Sequence, residues 1–378
     1  MNTLLVNHKD TADINAFSGI SYFMSHAIKR RFEHVTEFND LEPDHMSSLM
    51  LDGLFKKSLK PFSDRLSNFL RSSKEKFDFI ICQGGNTCIP FYKENIPIVY
   101  WHDSSWNSIW RNYLDNSSYL DKKAFQNFKS KFYYLYKWDK RAMERADLII
   151  FSSEYTAEAC KQNYGIFDNK VHVIPFGANL KQAKDSGFIK AKLAEKLNSE
   201  TINLTFFGKD WQRKGLSSAY KLTCKLNSIG IKTKLTIIGC YPTIQFNKDF
   251  VHVIGYIDKS KTAHLNILED VLESTHFLIH PAISEPFGIV LCEANAYGIP
   301  VIGTDIDGLK TIIRSDKNGY LFRKGKFIND ASKKIDFIVS DLDNQYSRLA
   351  YGAFDEFEKR LNWDTSVNKL YNLLNEKI

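Results

Sequence analysis

Short apolar runs recur along the chain, each followed by a turn or loop and then by residues with helical spacing. In the first half they fall at 3–7, 77–82, 98–101, 147–152 and 171–175, and in the second at 202–207, 234–239, 251–255, 277–280 and 301–304. Runs of continuous rather than alternating apolar character predict strands buried on both faces of a parallel sheet. Helical patterns lie between them. Tyr22, Phe23, Ala27 and Ile28 recur at helical spacing, Ser153 and Glu154 cap a helix starting near Tyr155, and residues 288–297 form a helix stopped by Gly298 and Pro300. Asn318-Gly319 predicts a turn ahead of a short edge strand ending at Phe322, and Trp363-Asp364-Thr365 opens a last helix running through Leu374. This alternation predicts a doubly wound α/β architecture. The polar, Lys-rich run 181–201 reads as connector plus helix, so the expected division is 1–179, 180–355 and a C-terminal helix segment, 356–378.

With 378 residues the chain holds two domains of ordinary size, each able to bury its own core. An aromatic content of 14% excludes a disordered chain. The net charge of +7 is mild and gives no sign of a nucleic-acid partner. No apolar run approaches the length of a membrane span. Six cysteines without a CxxC pair, and without a signal-peptide pattern ahead of them, predict a reducing, cytoplasmic setting. Basic residues concentrate at 54–76 and 122–145, interleaved with Phe55, Phe62, Phe69, Phe125, Phe128, Phe132, Tyr133, Tyr134, Tyr136 and Trp138. Amphipathic helices packed on a sheet, with solvated basic faces, account for these stretches better than peripheral contact with an anionic membrane, which stays open as the second reading.

The candidate chemistry lies where runs end. After residues 277–280, Glu285 stands just ahead of a helix start and Glu293 within the helix, and the amides of Phe287, Gly288 and Ile289 are helix-start donors suited to an anion such as a diphosphate. Carboxylates on either side of that anion can accept from hydroxyls, the layout of a nucleotide sugar. Lys209 and Lys214 stand in a loop bracketed by Gly208 and Gly215 after residues 202–207, which also suits a diphosphate, although a basic surface turn has the same composition. His102 and Asp103 close the run at 98–101, and Gly19 precedes the first helix, where a backbone can approach a ligand closely.

Glu285-Pro286-Phe287-Gly288 followed by Glu293 resembles the E-P-F-G and paired-glutamate signature of retaining GT-B glycosyltransferases of the family 4 type. The resemblance covers nearly the whole chain and is strongest from Thr201 onward. It implies the GT-B fold, two Rossmann-like domains facing across a cleft, with the last helix crossing back to the first. It implies that Glu285 holds the donor sugar, Glu293 the ribose, Lys209 and Lys214 the phosphates, and Ile257 the base, with His102 near sugar and acceptor. Where the family carries a Gly-Gly pair before the first helix, this chain has Ser18-Gly19. The implied reaction moves a hexosyl-type sugar, with retention and without metal or cofactor, from a nucleotide sugar to a glycan or lipid-linked acceptor, typically in bacterial surface polysaccharide synthesis at the inner membrane face. Two rivals share the scaffold: a sugar-nucleotide epimerase-like enzyme and a non-catalytic nucleotide-sugar-binding protein. A Rossmann dehydrogenase is disfavoured, since no G-x-G-x-x-G follows residues 3–7.

Overall fold

Every apolar run marked out by the sequence overlaps a strand, because a run buried on both faces has no solvent side on which to place polar residues. The computed structural model describes residues 1–39, 60–83, 87–106, 108, 133–247 and 249–377. They divide into two units, one of Met1–Pro175 with Ser366–Ile378, the other of Phe176–Thr365.

The first unit contains β1 (Asn2–Asn7), α1 (Ile20–Arg31), β2 (His34–Asn39), α2 (Lys60–Ser72), β3 (Phe79–Gln83), β4 (Ile98–His102), α3 (Tyr133–Arg145), β5 (Leu148–Phe151), α4 (Glu154–Tyr164) and β6 (Val171–Val173). Its strands form a parallel sheet in the order β2-β1-β3-β4-β5-β6. The edge strand β2 was not anticipated, because HVTEFN is polar and only half-buried. Ser153 caps α4 as expected, its hydroxyl accepting from the amide of Thr156. The described parts of the basic stretches, α2 and α3, bury Leu66, Ala142 and Met143 against this sheet's core. Phe55, Phe125, Phe128 and Phe132 lie outside the described residues.

The second unit contains α5 (Ser186–Leu197), β7 (Ile202–Phe207), α6 (Leu216–Ser228), β8 (Thr233–Ile238), β9 (Val251–Gly255), α7 (Thr262–Ser274), β10 (Phe277–His280), α8 (Ile289–Ala296), β11 (Val301–Thr304), α9 (Leu309–Ile312), β12 (Gly319–Phe322), α10 (Phe327–Val339) and α11 (Ser347–Arg360). Its sheet is again parallel, in the order β12-β11-β10-β7-β8-β9, with β12 at the expected edge. Helix α6 packs on β7, β8 and β10, and α10 on β11 and β12.

The division differs in detail from the expected one. Residues 176–179 join the second unit because Phe176 stacks on Trp363, Ala178 donates its amide to Leu361 O at 2.8 Å, and Asn179 Oδ1 accepts from Trp363 Nε1 at 2.8 Å. Residue 356 falls inside α11, and the last helix, α12 (Trp363–Lys377), begins in the second unit. From Ser366 onward it belongs to the first, where Ser366 Oγ donates to Pro175 O at 2.6 Å and Arg31 lies 3.4 Å over the ring of Tyr371. Among the described residues no helix is long and apolar enough to cross a membrane.

Candidate functional site

In the second sheet the chain winds outward from β7 through β8 to β9, then crosses back to lay β10 on the other side of β7. The loops leaving β7 and β10 therefore diverge, and a crevice opens between them at the strands' carboxyl ends, the usual ligand position in open α/β sheets. These two loops carry Lys209, Lys214 and Glu285.

Lys214 Nζ lies 2.9 Å from Glu285 Oε2. The lysine stem folds over Gly208, where an added Cβ would stand 2.5 Å from Lys214 Cδ, so the glycine at the end of β7 makes the approach possible. Arg213 reaches the same oxygen at 3.6 Å, donates to Ser284 O at 2.6 Å, and ties the two loops together through Ile283 N donating to Arg213 O. His280, the last residue of β10, places Nε2 3.2 Å from Oε2 as well. Lys209 is exposed and its side chain makes no ion pair among the described residues.

Glu285 is buried, 7% exposed, so its charge needs this company. Burial would raise its carboxyl, but the Lys214 ammonium, then His280 and Arg213, hold it well below the usual carboxylate range. Burial, together with Lys214 and Arg213, lowers His280 below its ordinary value despite Glu285. His280 is then neutral, with the proton on Nε2 facing the carboxylate, and Nδ1 is left as a bare acceptor. Three groups thus converge on Oε2, while Oε1 accepts no hydrogen bond among the described residues. Glu285 N donates to Asp307 Oδ2 at 3.0 Å. No Asp-x-Asp cluster was expected from the sequence, yet Asp305 and Asp307 form such a pair; both have protein partners, Asp305 meeting Lys310 at 2.9 Å.

Gly288 caps α8 at φ 96, and no carbonyl among the described residues accepts from the amides of Phe287, Gly288 or Ile289. The Phe287 ring is turned into the core against Phe176, so this residue offers only main chain. Glu293 is 1% exposed rather than solvated. Its Oε1 accepts from Lys259 Nζ at 2.6 Å, and its Oε2 has no partner among the described residues. Burial raises its carboxyl, and Lys259 opposes that without cancelling it. Ile257, two residues before this lysine, is buried.

Gly19 and His102 belong to the first unit. Phe17, Ser18 and Gly19 all adopt left-handed φ, of 50, 58 and 85, so Ser18 takes up a conformation more usual for the glycine it stands in for, at a cost of about 1 kcal/mol. His102 ends β4, as its place at the close of the apolar run led one to expect, its Nδ1 2.8 Å from Ser104 O and 3.1 Å from Asp103 Oδ1. Burial would lower this imidazole, but Asp103 raises it above its ordinary value.

The family model described as Glycosyltransferase Family 4 matches residues 26–182, and that described as Glycosyl transferases group 1 matches 189–355. The chain belongs to the group 1, family 4 glycosyltransferases. Its two Rossmann-like units are those of the GT-B fold. The sucrose-phosphate synthase of Thermosynechococcus elongatus superposes with a TM-score of 0.70 at 18% identity, over 100% of this chain and 98% of the other. HepE of Anabaena, in complex with UDP, superposes with a TM-score of 0.60 at 14% identity, over 100% of both chains. By sequence the chain is 24% identical over 222 residues to the capsular polysaccharide biosynthesis glycosyltransferase CapM of Staphylococcus aureus, covering 56% of this chain and 57% of that protein. The D-inositol 3-phosphate glycosyltransferase of Stackebrandtia nassauensis is 22% identical over 254 residues, 64% of this chain and 56% of that protein. The chain thus spans somewhat over half the length of these curated relatives.

Sequence reasoning missed four residues that meet the candidate groups: Arg213, Lys259, His280 and Asp307. Arg213 and His280 were readable as neighbours of assigned groups, one beside Lys214 and the other ending a marked strand. Lys259 and Asp307 sit in loops without periodicity, and only the fold brings them to partners 34 and 22 residues away.

Proposed function

We propose that the chain transfers a hexosyl-type sugar from a nucleoside-diphosphate sugar to a hydroxyl of a glycan or lipid-linked acceptor, with the donor at the ends of β7 and β10. The observation that carries this reading is the state of Glu285, a buried carboxylate with one oxygen fixed by Lys214, His280 and Arg213 and the other open. An acceptor oxygen held in this way can take sugar hydroxyls without rearranging. Glu293 Oε2 is a second open acceptor, suited to a ribose hydroxyl. Between these carboxylates in sequence, the amides at the start of α8 suit a diphosphate, and the exposed Lys209 adds a point charge.

As the sugar leaves, negative charge gathers on the diphosphate, and Lys209, Lys214 and the α8 amides are the groups to meet it. Fixed electrostatic stabilisation of this kind is usually the largest catalytic contribution. Attack by the acceptor on the face the leaving group vacates would retain anomeric configuration, with a departing phosphate oxygen taking the acceptor proton. This route uses no protein nucleophile and no metal. His102, in the first unit, is the group proposed to meet a sugar or acceptor hydroxyl. UDP is the first donor nucleotide to test, because HepE, of the same fold, is solved with UDP. The likeness to CapM favours a role in surface polysaccharide synthesis. We propose a cytoplasmic setting for that role, with a lipid-linked acceptor at the membrane face.

A thermal-shift panel of UDP, GDP, ADP and their sugar conjugates tests the reading. One nucleotide class should raise the midpoint, since a ligand at a hundred times its Kd stabilises by about 2.7 kcal/mol. Lys214→Ala should weaken that shift, and Glu285→Gln should lower turnover by roughly a hundredfold or more while folding normally. No shift with any nucleotide, or wild-type turnover in folded Glu285→Gln, overturns it.

A further inference from the structure

Beyond the phosphate and ribose groups, two tyrosines stand exposed at the carboxyl ends of β8 and β9: Tyr241 at 74% and Tyr256 at 50%. Tyr241 is exposed yet held. Its phenol end rests on the bare backbone of Gly255, where an added Cβ would lie 2.0 Å from Cζ and 2.3 Å from the hydroxyl oxygen. Gly255 is therefore required twice, by its φ of 83 and by the ring above it. The chain then runs through Tyr256 and buried Ile257 to Lys259, whose ammonium meets Glu293 at 2.6 Å. Four residues span at most about 14 Å, so one short loop links the ring to the carboxylate with the open oxygen.

We infer that Tyr241 is a stacking platform for the nucleobase of the donor, a role that rests on the donor-site reading above. A ribose hydroxyl on Glu293 sends its base away from the diphosphate, and along the 255–259 loop two exposed aromatic rings are on offer, Tyr256 and Tyr241, of which Tyr241 is the one seated against the Gly255 backbone. A large aromatic face left in water by a ring already fixed in place is the arrangement base stacking needs, since little side-chain freedom remains to be lost on binding. Because every base has a π-face, stacking adds affinity without choosing among bases. Ile257, assigned to the base by resemblance, is buried and would offer main chain, leaving the aromatic contact to Tyr241.

The test is isothermal titration of UDP and of GDP into the full chain as wild type, Tyr241→Ala, Tyr241→Phe and Lys214→Ala. Tyr241→Ala should weaken the nucleotide that wild type binds by roughly tenfold or more, and Tyr241→Phe, which keeps the ring, should restore most of that loss. Truncation of so exposed a ring should leave the ligand-free melting midpoint close to wild type, which separates lost stacking from lost fold. If Lys214→Ala loses binding while Tyr241→Ala keeps it, the platform is wrong and the donor site stands. If wild type binds neither nucleotide, the donor-site reading fails and takes the platform with it.

Discussion

At the carboxyl end of the second sheet buried carboxylates are met by ammonium groups, Glu285 by Lys214 and Glu293 by Lys259. At the carboxyl end of the first sheet, β1 and β3 finish side by side with Asn7 and Gln83 in register, both buried, and each keeps an amide oxygen with no partner among the described residues. Both sheets are parallel and six-stranded, so the difference lies in the residues at their ends and not in the scaffold. Charge in the low dielectric of a sheet end survives only when paired, so a site for an anion arrives already assembled as ion pairs. Neutral amides tolerate an open valence at lower cost, which suits uncharged hydroxyls and gives a looser, less readable pattern.

The largest effect should come from breaking a pair in the second unit. Lys259→Ala leaves the Glu293 carboxylate, 1% exposed, without its cation, and should cost about 3–5 kcal/mol in urea unfolding. Adding Glu293→Gln to that variant should recover much of the loss, since the stranded charge is then gone. A single-variant loss below about 1 kcal/mol would show that the pair does not hold this sheet end together, and the contrast with the first unit would fall.

A second test compares two histidines, one fully buried and one partly buried. His276, ahead of β10 and fully buried, accepts from Asn203 N through Nδ1 at 3.1 Å and donates through Nε2 to Lys196 O at 3.0 Å. Burial pushes it down to about 4, whereas His102 in the first unit is raised. For His276 the unfolded chain takes up a proton near pH 6.5 and the folded one near 4, so its contribution is fully present above 6.5 and is lost as pH falls towards 4. About 3 kcal/mol should disappear across that window, and His276→Gln should flatten the wild-type slope there. Lys196, pushed down to about 7, titrates above this window and does not mask it. Equal slopes in the two proteins would mean that the histidine is not neutral in the fold.

Legibility followed the same division. The strands could be read because burial on both faces makes them apolar throughout, and β2 could not because an edge strand carries His34, Thr36 and Glu37 instead. Glu285 and Glu293 were visible as acids placed around a glycine-started helix, but a glutamate on a helix reads as solvated until the fold covers it. Lys259 gave no local sign, because its role is fixed by a residue 34 positions later. In the first unit Ser18 looks like a weakened glycine position, yet the backbone there keeps its left-handed path, and nothing in the side chains' order announces the open oxygens of Asn7 and Gln83.

The smallest effect sharpens the contrast from the other side. Among the described residues Gln83 Nε2 makes one long hydrogen bond, 3.3 Å to Ile20 O, and its Oε1 makes none. Methionine has nearly the same shape and no amide to satisfy, so Gln83→Met should be neutral or stabilising, by up to about 1 kcal/mol in urea unfolding. If the open oxygen is kept for a substrate hydroxyl, the same variant should raise the KM for acceptor and leave the nucleotide thermal shift unchanged, because the groups proposed for the donor belong to the other unit. A destabilisation of 2 kcal/mol or more, of the order expected for a lost well-made buried hydrogen bond, would instead mean that the amide is structurally committed, and the first sheet end would then resemble the second.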